Sequence, residues 1–99
     1  MSDTPAASWT FLTNHAHVLI CIAQDPESRL RDIAERVGIT ERSTQSIVAD
    51  LVDGGYLTRR RVGRRNHYEV IADRPLRHPI ERDHQIGQLL ELVGLDASR

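Results

Sequence analysis

The chain has 99 residues, of which 39% are apolar and 27% charged. That is one domain's length and the composition of an ordinary globule with one modest core. Thirteen basic residues, all arginine, stand against fourteen acids, for a net charge of −1. Such a chain leaves no room for a catalytic and a regulatory domain together, and no apolar run in it is long enough for a membrane span. One cysteine, Cys21, makes neither an internal disulfide nor a cysteine-rich zinc site. The expected location is the cytoplasm.

Residues 1–8 read as a flexible leader, without the basic start or apolar core of a secretory signal. A compact domain is expected over 9–73, and a linker with an amphipathic helix over 74–99. Trp9, Phe11 and Leu12 open the domain with large side chains that want burial. Thr13 or Asn14 caps a first helix that stops before Pro26, since the residue preceding proline disfavours helix. Its main stripe is Ala16, Leu19, Ile20 and Ala23. Val18 and Ile22 form a second apolar face, which implies a second neighbour. Cys21 reads as a small core residue.

A second helix is expected behind a Ser28 cap, with Leu30, Ile33, Ala34 and Val37 as its stripe and Gly38 at its left-handed end. A third starts at a Thr40 cap, buries Thr44, Ile47, Val48 and Leu51, and ends at Gly54-Gly55. Two β-rich runs, Tyr56–Val62 and His67–Ile71, flank a four-residue turn, Gly63-Arg64-Arg65-Asn66, and predict a hairpin. A last helix is expected to start at Pro79, with Glu81 in its first turn, Ile86, Leu89, Leu90 and Val93 as its stripe, and Gly94 as its cap.

The charge is unevenly spread. Between Gly54 and His67 lie Arg59, Arg60, Arg61, Arg64 and Arg65 and no acid, so this stretch carries +5 and the remainder −6. Guanidinium groups pair bidentately with phosphate oxygens and stay charged at any working pH. Two helices joined through Gly38-Ile39-Thr40, followed directly by a basic hairpin, form the pattern of a helix-turn-helix with a wing.

The segment from Arg29-Leu30-Arg31-Asp32-Ile33-Ala34 to Gly55-Tyr56-Leu57 resembles the winged helix-turn-helix of bacterial and archaeal transcription regulators, the MarR-like and ArsR-like group. The resemblance covers about residues 13–71. It implies an α+β, mainly α fold: a three-helix core with a β-hairpin wing and an additional C-terminal dimerisation helix. It also implies a sequence-specific regulator of transcription, with repression the expected sense. The alternative is a winged-helix module that binds protein or RNA.

In such a regulator the third helix enters the major groove with its outward side chains at the base edges. That face holds Arg42, Gln45 and Ser46, with Ser43 beside it and Thr40 at the helix start. Arginine bonds guanine bidentately and glutamine bonds adenine, each pair discriminating by ~1–3 kcal/mol. Asp50 and Asp53 cut against this, and are expected at the far end and on the flank. Arg59, Arg61, Arg64, Arg65 and Asn66 are the expected wing contacts, to backbone phosphates or, for Arg64 and Arg65, to the minor groove.

A homodimer is expected through Trp9, Phe11, Leu12, Ile86, Leu89, Leu90 and Val93; the alternative is that the last helix folds back over its own chain's core. A small-molecule effector is compatible with this architecture, though no residue announces one. His15 and His17 point apart on their helix, and His78 and His84 are six residues apart, so no metal set is recognisable. No glycine-rich phosphate loop or nucleophile elbow occurs. Neither a cofactor nor an enzymatic activity is expected.

Overall fold

The computed structural model describes residues 9–95, so the leader expected over 1–8 lies outside the described residues. The elements follow the order α1 (Asn14–Gln24), α2 (Leu30–Val37), α3 (Glu41–Asp53), β1 (Leu57–Val62), β2 (Arg65–Val70) and α4 (Ile86–Leu92). Three helices pack around one core and an antiparallel ribbon follows them, which is the α+β winged helix.

Helix α1 starts at its Thr13 cap, whose hydroxyl accepts from the Ala16 N–H. Its most deeply buried residues are Val18, Leu19, Cys21 and Ile22, while Ile20 and Ala23 are only half-buried. The expected stripe was therefore rotated from the true one. The reason is that α1 is central, packing against α2, α3 and β2. Its second apolar face is covered within the chain.

Helix α2 begins one residue later than Ser28 predicts. Arg29 occupies the cap position without a side-chain bond, and the Ser28 hydroxyl instead donates to the Asp25 carbonyl at 2.8 Å. Ile33 and Ala34 enter the core, and Gly38 closes the helix at φ 88°. A side chain there has open space around it, so the backbone conformation alone demands glycine.

Helix α3 buries the expected four residues, Thr44, Ile47, Val48 and Leu51. Among the described residues Thr44 is the one buried polar side chain besides the tyrosines, and its hydroxyl donates to the Thr40 carbonyl at 3.0 Å. A buried hydroxyl satisfied in this way avoids the cost of an unmade bond. The helix ends where the Tyr56 N–H reaches back to the Leu51 carbonyl at 2.9 Å, which turns the chain into β1.

The ribbon is longer and its turn tighter than the sequence suggests. Val62 pairs with Arg65, so only Gly63 and Arg64 form the turn. Gly63 has φ 63°, and among the described residues only glycines adopt positive φ. A glycine at the first of two central positions is the II′ arrangement that suits strand twist. Arg65 and Asn66 are thus strand residues, not part of the tip.

The C-terminal segment departs most from expectation. Pro79 does not start a helix. Residues 75 and 85 pair as an antiparallel bridge, and the Ile86 N–H donates to the Arg74 carbonyl at 2.9 Å. These bonds hold residue 85 extended, and residues 79–83 before it form turns rather than a helix, so α4 has only seven residues. Ile86 and Leu90 are buried in the chain's own core, together with Leu51, Tyr56 and Leu57. Neither is available to a subunit interface, which corrects that expectation for these two. Leu89 is half-buried and Val93 exposed. The Tyr56 hydroxyl donates to the Pro75 carbonyl at 2.6 Å, and Arg74 donates to the Gly54 carbonyl at 2.9 Å. Both bonds strap this segment to the end of α3.

Candidate nucleic-acid interface

Burying Thr44, Ile47, Val48 and Leu51 fixes what α3 presents outward. At about 100° per residue, Arg42, Ser46, Ala49 and Asp53 lie opposite that stripe. Gln45 lies on one flank, with Ser43 and Asp50 on the other. All seven are exposed. The expected reading residues are therefore on the surface, and Asp53 shares their line at the far end of the helix.

The start of α3 is set by one side chain. The Thr40 hydroxyl accepts from the Ser43 N–H and donates to the Ser43 hydroxyl oxygen, both at 3.0 Å. Thr40 is thereby spent on the helix. Ser43 has its oxygen occupied and its own O–H free to donate outward.

Asp50 is not a free charge. The His15 ring nitrogen Nε2 lies 2.9 Å from Asp50 Oδ2, bridging the first turn of α1 to the flank of α3. His15 was not legible as part of this surface, because the pair is 35 residues apart and nothing local announces it.

In the ribbon, register decides which arginines share a face, since directly opposed residues point the same way. Arg59 opposes Tyr68 and Arg61 opposes Asn66. Leu57, Arg59, Arg61, Asn66, Tyr68 and Val70 thus lie on one face, whose base enters the core through Leu57 and Tyr68. Arg60 and Arg65 lie on the other face with His67 and Glu69. Arg64 alone is in the turn. The structure brings Arg59, Arg61 and Asn66 together and sets Arg65 apart from them.

The ribbon is anchored to the turn between α1 and α2. The Tyr68 N–H donates to the Pro26 carbonyl at 3.0 Å and Arg65 Nη1 to the Glu27 carbonyl at 3.3 Å. His67 Nδ1 lies 3.4 Å from the Glu27 carboxylate. Pro26 and Glu27 are wing supports that the sequence did not reveal. Among the described residues, no arginine forms a salt bridge with a carboxylate. Apart from Arg65, held by the Glu27 carbonyl, the ribbon's arginines are exposed and have no bonding partner among the described residues.

A family model described as the MarR family matches residues 10–65. The chain belongs to the MarR family. The match takes in α1, α2, α3, β1 and the turn, and it ends at the first residue of β2, so α4 lies beyond it. A search of curated proteins returned no match. MarR-family proteins bind DNA, regulate transcription and typically act as dimers, and this chain is a DNA-binding transcription regulator in that general sense. Among the described residues no helix is long and apolar enough to cross a membrane.

Proposed function

We propose that this MarR-family regulator is a sequence-specific repressor that lays α3 in the major groove. Arg42, Gln45, Ser46 and Ser43 then meet base edges, and Thr40 sets the helix entry. Arg59, Arg61, Arg64, Arg65 and Asn66 supply wing contacts, chiefly to phosphates, because most protein–DNA bonds go there. One observation carries this reading: the outward face of α3 is polar and exposed, and Arg42, Gln45 and Ser46 have no bonding partner among the described residues.

The reader is also proposed to be a homodimer. Trp9 is 67% exposed and Phe11 92%, stacked edge-on at 5.0 Å. Leu12 and the outer side of α4, at Leu89 and Val93, complete the surface. Ile86 and Leu90 do not belong to it. Repression is the proposed sense of regulation, by occupation of an operator.

Selection of bound duplexes from a random pool tests the proposal. The expected result is a two-fold symmetric consensus, with half-sites one turn or a multiple apart. Titration at several salt concentrations then gives a negative log–log slope. Recovery of no consensus, with weak binding to every duplex, would overturn sequence-specific reading and leave a module for other partners.

A further inference from the structure

One charged pair sits on the flank of α3 and takes no part in the core. His15 Nε2 lies 2.9 Å from Asp50 Oδ2, and both side chains are open to solvent, at 48% and 61% exposure. An exposed pair of this kind adds little to folding stability, because water and salt screen it. Its position sets it apart. The pair lines a groove between the first turn of α1 and α3, together with Asn14, Ser43 and Ser46. The two serines belong to the surface proposed to meet base edges, and Asp50 follows Ser46 by one helical turn. A helix with its side chains is about 10–12 Å across and the major groove is about 12 Å wide, so a flank residue meets the phosphate wall. Asp50 then sets a negative charge against phosphates unless its partner carries a positive one.

Imidazole is the side chain whose charge changes between about pH 5 and 8. We propose that His15 is a positioning residue for duplex binding: it holds and neutralises Asp50 beside the phosphates, so that binding takes up a proton. The inference rests on α3 lying in the major groove. With the imidazole charged, the pair is electrically neutral. With it uncharged, the pair carries −1 next to the backbone. The phosphates therefore favour the charged imidazole, and by reciprocity protonation favours the duplex. Binding tightens as the pH falls through the imidazole range. The other charged groups packed around the ring point the same way. Asp50 and Asp53 come from α3, and Glu81 and Arg77 from the segment after the ribbon. Three carboxylates against one guanidinium make the surroundings of the ring net negative before any duplex arrives. On α1 itself His17 turns to Asn14, with Nδ1 3.2 Å from Asn14 Oδ1. The second histidine–carboxylate pair, His67 with Glu27 at 3.4 Å, joins the ribbon to the turn before α2 and provides a control.

Fluorescence anisotropy with the selected duplex, at constant salt, tests the proposal. The wild type is expected to bind about fivefold tighter at pH 6 than at pH 8. Calorimetry in two buffers of different ionisation enthalpy should register proton uptake on binding. H15Q keeps an N–H donor within reach of Asp50 but has no titrating ring, so it should bind at the weaker, high-pH level throughout. D50N removes the charge that opposes the phosphates, so it should bind at the tighter, low-pH level with most of the pH dependence gone. H67Q should keep the wild-type profile. His15 and Asp50 are exposed, so both variants should retain the wild-type circular dichroism spectrum. Full pH dependence in D50N would mean that His15 meets phosphate directly, and loss of the dependence in H67Q would assign it to the ribbon; either overturns the proposal. A flat wild-type profile on a duplex still bound in preference to random DNA would overturn it and leave the reading by α3 standing. Recovery of no preferred duplex would remove both.

Discussion

At the scale of single residues, Thr40 and Gln45 divide the labour of α3. The Thr40 hydroxyl is committed to the Ser43 N–H and oxygen, so its loss acts on the helix rather than on DNA directly. Thr40→Ala should cost ~1 kcal/mol of stability, the usual penalty for a lost cap, read from urea unfolding. Gln45 is exposed and contributes nothing to the core. Gln45→Ala should leave the unfolding midpoint unchanged and weaken the selected duplex by ~1–3 kcal/mol relative to random DNA. Equal losses on both duplexes would mean that the Gln45 flank of α3 is not reading. The two variants separate positioning from recognition, because only one of them moves stability.

At the scale of elements, the ribbon and α4 make opposite demands on their side chains. The ribbon leaves its arginines without carboxylate partners among the described residues, and its register sorts them by face. Replacing Arg59 and Arg61 together by alanine should lower the salt slope of duplex binding by about two, one per phosphate contact, without changing sequence preference. Arg60→Ala, on the other face, should lower it by much less. A reversed ranking would mean that the ribbon turns its other face to the backbone. In α4 the arginines give way to aliphatic packing. Leu90→Ala removes a side chain that is 3% exposed and should cost ~2–5 kcal/mol in unfolding. Leu92, 75% exposed, should cost no more than ~0.5 kcal/mol. The same contrast explains what was legible beforehand. The limits of α1, the Thr40 cap and the buried face of α3 depend on neighbours within a turn or two, and their signals are local. The two-residue turn at Gly63-Arg64 depends on cross-strand register. The start of α4 depends on the bonds that residues 74 and 75 make to residues 85 and 86. The rotated face of α1 depends on three packing partners at once. The exposed residues at the start of α3 are legible as surface, whereas His15 joins α3, and Pro26 and Glu27 join the ribbon, through contacts remote in sequence.

At the scale of the whole molecule, the distribution of unspent groups implies a partner for each. The ribbon's guanidinium groups, which have no carboxylate partners among the described residues, and the polar face of α3 suit a duplex, whereas Trp9 and Phe11 suit neither water nor phosphate. Both rings are held against each other and against little else, at 67% and 92% exposure. Covering such side chains fully is worth ~1.5–3 kcal/mol apiece, and a two-fold interface counts each of them twice. Light scattering should therefore give twice the 11.2 kDa chain mass, and Trp9→Ala with Phe11→Ala should return it to the monomer. The burial of Ile86 and Leu90 sharpens this expectation. Their side chains already serve the monomer's core, so the double variant should dissociate the dimer while each chain stays folded. Duplex binding should respond in a particular way. Two tethered α3 helices meet half-sites about 34–36 Å apart or a multiple of that, and each half-site then binds at the effective concentration set by the other. A monomer keeps the same face and the same base preference but loses that advantage. The double variant should thus bind a single half-site as well as the wild type does, and lose its gain only on the paired site. Equal weakening on both duplexes would place Trp9 and Phe11 at the DNA surface rather than between subunits.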